Sequence, residues 1–221
     1  MSSRYNAYDR PMAILKQERR DKHMKRLLAL MLALALALGV CGAMAEASGL
    51  PPYSYPFADE EPILAAVANY MVTAEEFGYT PEEGGVLIPA PIVLKMDVNE
   101  DETQAKVYGN FWLFAYKLEG KILMCTAGGE CPGVMQLEKK DGAWAVTSLE
   151  VAEEGEAFEA SIKKLAGGDE ALEKEYAVSS DATEGYLPQY RRAFVLAYAQ
   201  ANELDIEAFQ DYGWDPVSIT D

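Results

Sequence analysis

A chain of 221 residues and 24.3 kDa carries 36 Asp/Glu against 19 Lys/Arg, a formal charge of −17. That balance repels nucleic acid and anionic lipid, and no basic stripe overrides it. The sole histidine, His23, lies near the start, so the rest of the chain has no imidazole for triad, Cys-His or His-zinc chemistry.

The first element is a leader. Residues 1–23 fit no export design, while Met24-Lys25-Arg26 is a complete signal-peptide start. Glu18-Arg19-Arg20 is compatible with codons containing a ribosome-binding sequence, so translation is expected to begin at Met24 and 1–23 to be an over-extended N-terminus. Residues 24–45 read as a signal peptide. Lys25 and Arg26 form the basic region, Leu27 to Leu38 the apolar region, and Gly39 breaks the helix. Ala43-Met44-Ala45 supplies the small residues for cleavage between Ala45 and Glu46. Two alternatives stay open. The uncharged run Leu27–Ala45 is nineteen residues, long enough to be retained as an anchor, and residues 1–26 carry eight Lys/Arg against three Asp/Glu. Cys41 is a lipidation candidate, although Val40 stands where a small residue is usual. All three readings export the remainder of the chain, with membrane contact only through this segment. Glu46–Asp221 keeps 11 Lys/Arg and 33 Asp/Glu, a formal −22 over 176 residues, the length of one domain.

Residues 46–57 read as a linker, rich in Pro and Tyr over "GLPPYSYPF", leaving 58–221 as a single exported domain. Acids and an early Pro62 start a helix from about Asp59 to Phe77, with Ile63, Val67, Tyr70 and Met71 at helical spacing and Gly78 as its stop. Ile88–Val98 and Gln104–Leu118 alternate as strands around the polar turn "NEDET". Lys121–Ala127 and Val134–Lys140 are expected to form a hairpin around "GGECPG", and Asp141-Gly142 a tight turn into Ala143–Val151. Helices are predicted over Phe158–Leu165, Glu170–Ala177 and Tyr186–Ala201, with "DIEAFQDYGWDP" as a last helical turn and tail. The order predicts an α+β fold: an N-terminal helix on a bent antiparallel sheet of about five strands, then C-terminal helices.

Two stretches, "GGECPGVMQLEKKDGAWAVTSLEVAEEGEAFEASIKK" and "LDIEAFQDYGWDP", together with this element order, carry a resemblance. The chain resembles uncharacterised exported domains of Gram-positive bacteria with a cystatin-like or nuclear-transport-factor-2-like cone fold, over roughly residues 58 to 217. The resemblance implies a cavity between sheet and helix that holds a ligand or, in catalytic members, an Asp/His pair. This chain has no histidine for that pair.

The long strand locates the candidate cavity. Its even face carries Tyr108, Asn110, Trp112, Phe114 and Tyr116, and its odd face the smaller set Val107, Gly109, Phe111, Leu113 and Ala115. Both faces are apolar, so this is a central strand with Trp112 buried, the odd face close under the first helix and Gly109 allowing a bend. Tyr108, Asn110, Trp112 and Tyr116 have the character of a ligand-pocket wall. The competing reading is that the C-terminal helix, with Tyr186, Tyr190, Phe194 and Tyr198, covers the same face.

Other signals are weaker. Asp97 to Asp101 opens like an EF-hand loop, but Glu102 and Tyr108 stand at the sixth and twelfth positions, so no metal site is assigned. Arg191 and Arg192 suit an ion pair or an anionic ligand, and Glu153-Glu154 is one of many chance acidic pairs. Cys125 and Cys131 flank a five-residue loop in the expected hairpin, which places them close enough for a disulfide. Free thiols and a two-thiolate zinc site are the rivals. The resulting expectation is an exported non-catalytic module, without cofactor, binding a small molecule, peptide or partner domain. The alternative is a hydrolase working through carboxylates.

Overall fold

A computed structural model describes residues 49–182 and 185–220. Cys41, the cleavage pair Ala45 and Glu46, and the apolar run of the leader lie outside the described residues. Among the described residues no helix is long and apolar enough to cross a membrane.

The architecture is α+β: among the described residues, four helices lie on a seven-stranded mixed sheet that does not close. Helix α1 (Pro62–Thr73) begins with Pro62 in its first turn, where the missing N–H costs nothing. It is shorter than the spacing predicts. Ala74 turns extended, and a 3₁₀ turn at Glu75–Phe77 buries Phe77 before Gly78, at φ 66°, closes it. Upstream, Leu50 donates its N–H to the carbonyl of Gly84, while Tyr53 stacks on Tyr198, so the Pro/Tyr stretch is extended and packed on the domain.

Strand β1 (Val86–Val98) runs antiparallel to β2 (Gln104–Glu119) along nearly its full length. Gly120, at φ 63°, turns the chain into β3 (Ile122–Gly129), which pairs with the far half of β2. Here the structure corrects the predicted hairpin. β4 (Pro132–Lys140) does not fold back on β3 but continues past it along the same edge of β2, pairing Gln104–Asn110. The sixteen residues of β2 offer an edge that neither short strand covers alone, so "GGECPG" is a join within an edge. The Asp141-Gly142 turn then leads into β5 (Ala143–Val151), antiparallel to β4 as expected.

Helices α2 (Phe158–Ala166), α3 (Glu170–Ser179) and α4 (Leu187–Ala201) come next. Asp169 caps α3 by accepting from the N–H groups of Ala171 and Leu172, and Gly167, at φ 63°, ends α2. The predicted tail is a second correction. Ala208–Asp211 forms β6, parallel to β3, and Val217–Ser218 forms β7, antiparallel to β6.

The sheet separates two cores. On one face Val107, Phe111 and Leu113 pack with Val67 and Met71 of α1 and with Met135 and Leu137. On the other, Trp112, Phe114 and Tyr116 pack with Leu165, Tyr176, Val195 and Tyr198 of α2–α4. The odd face thus lies under α1, and Gly109 sits where the sheet is irregular. A Cβ there would meet the Ile92 carbonyl oxygen at 2.6 Å, beside the β1 register shift between Val93 and Lys95.

Candidate functional site

The four aromatic-face residues are brought together, but inside the core. Tyr116 and Asn110 are fully buried, Trp112 is 9% exposed, and Tyr108 is half-buried with the Lys95 ammonium 5.1 Å from its ring centre. Trp112, Asn110 and Tyr116 each engage a polar tip within the fold. Trp112 Nε1 donates to the Ser179 carbonyl at 3.1 Å, locking β2 to the end of α3. Asn110 Nδ2 donates to Glu130 at 2.7 Å and to Ser180 at 3.2 Å, while its Oδ1 has no partner among the described residues. Tyr176 adds a bond from its hydroxyl to the Gly133 carbonyl at 2.7 Å. Phe114 stacks on Trp112 with ring centres 5.9 Å apart. These rings act as the floor beneath α3 and α4, the arrangement in which helices cover the stripe.

The cysteine pairing is corrected. Cys125 pairs with Tyr116, whereas the Cys131 carbonyl accepts from Phe111 N–H, five residues further along β2. Five strand residues span roughly 17 Å, and a disulfide needs Cα atoms within about 7 Å. Cys125 also packs with one core and Cys131 with the other, on opposite faces of the sheet. Both are free thiols, and burial pushes each up to about 11. The EF-hand-like stretch is an Asx-type turn. Asn99 Oδ1 accepts from the N–H groups of Thr103 and Gln104 at 2.9 and 2.8 Å, and Asp101 accepts from the Thr103 hydroxyl at 2.6 Å. Among the described residues no three His, Cys, Asp or Glu side chains gather as metal ligands.

Arg191 leads elsewhere. It stands on α4, 7% exposed, with its guanidinium carbon 4.0 Å from the Phe114 ring centre and 4.5 Å from that of Phe209. Its Nε donates to the Tyr116 hydroxyl at 2.6 Å. The two outer nitrogens grip both oxygens of Asp211 at 2.7 and 2.6 Å, a bidentate fork. Those hydrogen bonds hold the Asp211 carboxyl below the usual carboxylate range, whereas burial pushes the Tyr116 phenol up and Arg191 opposes it.

Asp211 is the last residue of β6 and the first of a tight turn. Trp214 N–H donates to the Asp211 carbonyl at 3.1 Å, and Gly213 adopts φ 82° at the position where such a turn requires a glycine. Gln210 Nε2 donates to the Trp214 carbonyl at 2.6 Å. The turn is therefore anchored from within by Arg191 and braced by Gln210, yet it presents Tyr212 and Trp214 at 92% and 72% exposure. Two open aromatic side chains on a backbone this constrained lose little freedom when a partner covers them. The sequence shows the residues "DYGW", and their exposure was missed because a helical tail was expected there. The signal that finds them is the Gly one residue before Trp in a stretch ending in Asp-Pro, which is turn chemistry.

No protein-family model, curated protein or solved structure matches the chain.

Proposed function

We propose that this chain is an exported, non-catalytic binding module that meets its partner through the turn from Asp211 to Trp214. The observation that supports this most is the exposure of Tyr212 and Trp214 on a turn held by the buried Arg191–Asp211 fork. Tyr and Trp are the residues that most often dominate binding energy at protein surfaces, and exposing both on rigid backbone has no benefit for folding. Export rests on the Lys25-Arg26 start, the apolar run and the Ala43-Met44-Ala45 cleavage pattern. The carboxylate-hydrolase alternative draws no support from acidity. Asp101 and Asp211 are both shifted down, away from what a general acid needs.

The test is co-sedimentation of the secreted protein with envelopes of the producing cells. Wild type is expected in the pellet and the double variant Tyr212→Ser/Trp214→Ser in the supernatant, with equal thermal stability. Equal pelleting of the two proteins would remove the turn from the function.

A further inference from the structure

The turn also carries a charge pattern, and we infer from the two together that its partner is a cationic protein segment rich in lysine or arginine. This rests on the turn being where the domain binds. From Asn202 to Thr220 the chain has Glu203, Asp205, Glu207, Asp211 and Asp215 and no Lys or Arg. The cations that reach this segment from elsewhere are already engaged. Lys121 bridges Asp205 and Glu207 at 3.1 and 2.6 Å, and Arg191 is buried on Asp211.

Asp215 directly follows Trp214, and both are exposed. An exposed carboxylate and an exposed indole on successive residues offer the ammonium or guanidinium groups of a cationic segment two kinds of attraction: an ion pair, and the negative face of the ring that binds cations best. At longer range the formal −17 of the whole chain steers a cationic partner in and keeps anionic polymers out. A neutral glycan would also stack on the two rings, but its chemistry makes no use of Glu203 and Asp215, the two carboxylates of this segment that no Lys or Arg bridges among the described residues.

Calorimetric titration of the secreted protein with a decalysine peptide at low and high salt tests this, with a neutral hexasaccharide of N-acetylglucosamine as the rival probe. Three proteins are compared: wild type, Tyr212→Ser/Trp214→Ser at unchanged net charge, and Glu100→Gln/Glu102→Gln in the β1–β2 turn. Wild type and the Glu variant should bind decalysine alike, more weakly as salt rises. The aromatic variant should bind about 30-fold more weakly, the loss of one hot spot. Equal decalysine affinity in all three proteins would mean long-range charge alone, and would overturn both this inference and the turn as a binding surface. Trp214-dependent binding of the hexasaccharide, with decalysine indifferent to Trp214, would leave the turn standing and overturn the cationic partner. Absence of decalysine binding would also overturn it.

Discussion

Arg191 brings a full charge into the core, and its counter-ion is a residue that still touches water. Its own side chain is 8% exposed, whereas that of Asp211 is 46% exposed. The two ends of the pair should therefore respond differently to mutation. Asp211→Ala strands a buried guanidinium and should cost about 3 kcal/mol or more. Arg191→Met keeps much of the packing, leaves a carboxylate that water can reach, and should cost about 1–3 kcal/mol, chiefly through the orphaned Tyr116 hydroxyl. Denaturant unfolding of both variants checks the order, and a reversed order would contradict the burial asymmetry. The same pair sets an acid limb. Asp211 is more acidic folded than unfolded, so its stabilisation is complete above about pH 4 and fades as pH falls through the lower folded value. Asp211→Asn should flatten the fall in melting temperature below pH 4. The cysteines make a second residue-scale prediction. Unfolded, unreduced protein should titrate two thiols per Glu46–Asp221 chain, and in the folded state both should alkylate slowly at neutral pH, since burial keeps them protonated. Absence of free thiols in the unfolded protein would contradict the strand order. Much at this scale was legible in the residues: Trp112 is buried as expected, and an Arg191 ion pair was one of its two readings. The exposure of Tyr212 and Trp214 was not, because Ile206 and Phe209 stand three apart, a helical spacing, although the chain there forms β6 from Ala208.

Among the elements, sequence reasoning succeeded where pairing is local and failed where it is not. The β1–β2 hairpin, the Asp141-Gly142 turn and the odd face of β2 under α1 all follow from alternation and turn chemistry. The end-to-end placement of β3 and β4 follows from the length of β2, which two strands must share, and a short Gly-rich loop gives no sign of that. β6 escaped notice for a related reason. Its partner β3 lies more than eighty residues earlier, and a four-residue strand has too few positions to show a period. The irregular row of the sheet yields a direct prediction. The Cβ in Gly109→Ala would meet the Ile92 carbonyl, a backbone atom that cannot swing aside. The variant should lose about 1–3 kcal/mol, as overpacking does. A Gly109→Ala protein as stable as wild type would show that β1 and β2 approach less closely than this.

At the scale of the molecule, the sheet has three edges among the described residues and each is blocked by a different device. Pro89 and Pro91 remove N–H donors from β1, a register shift opposite Gln136 and Leu137 marks a bulge in β5, and β7 is only two residues long. Edge-to-edge pairing is thus disfavoured throughout, and the covered aromatic face leaves no open wall at Tyr116 or Asn110. The surface proposed for a partner is the turn beyond β6, where Tyr212 and Trp214 are exposed. The most direct measurement uses a protein whose only tryptophan is Trp214, obtained by Trp112→Phe and Trp144→Phe. Its emission should shift to the blue and resist iodide quenching when envelopes of the producing cells are added. Envelope binding with Trp214 emission and quenching unchanged would contradict the assignment of the turn as the binding surface.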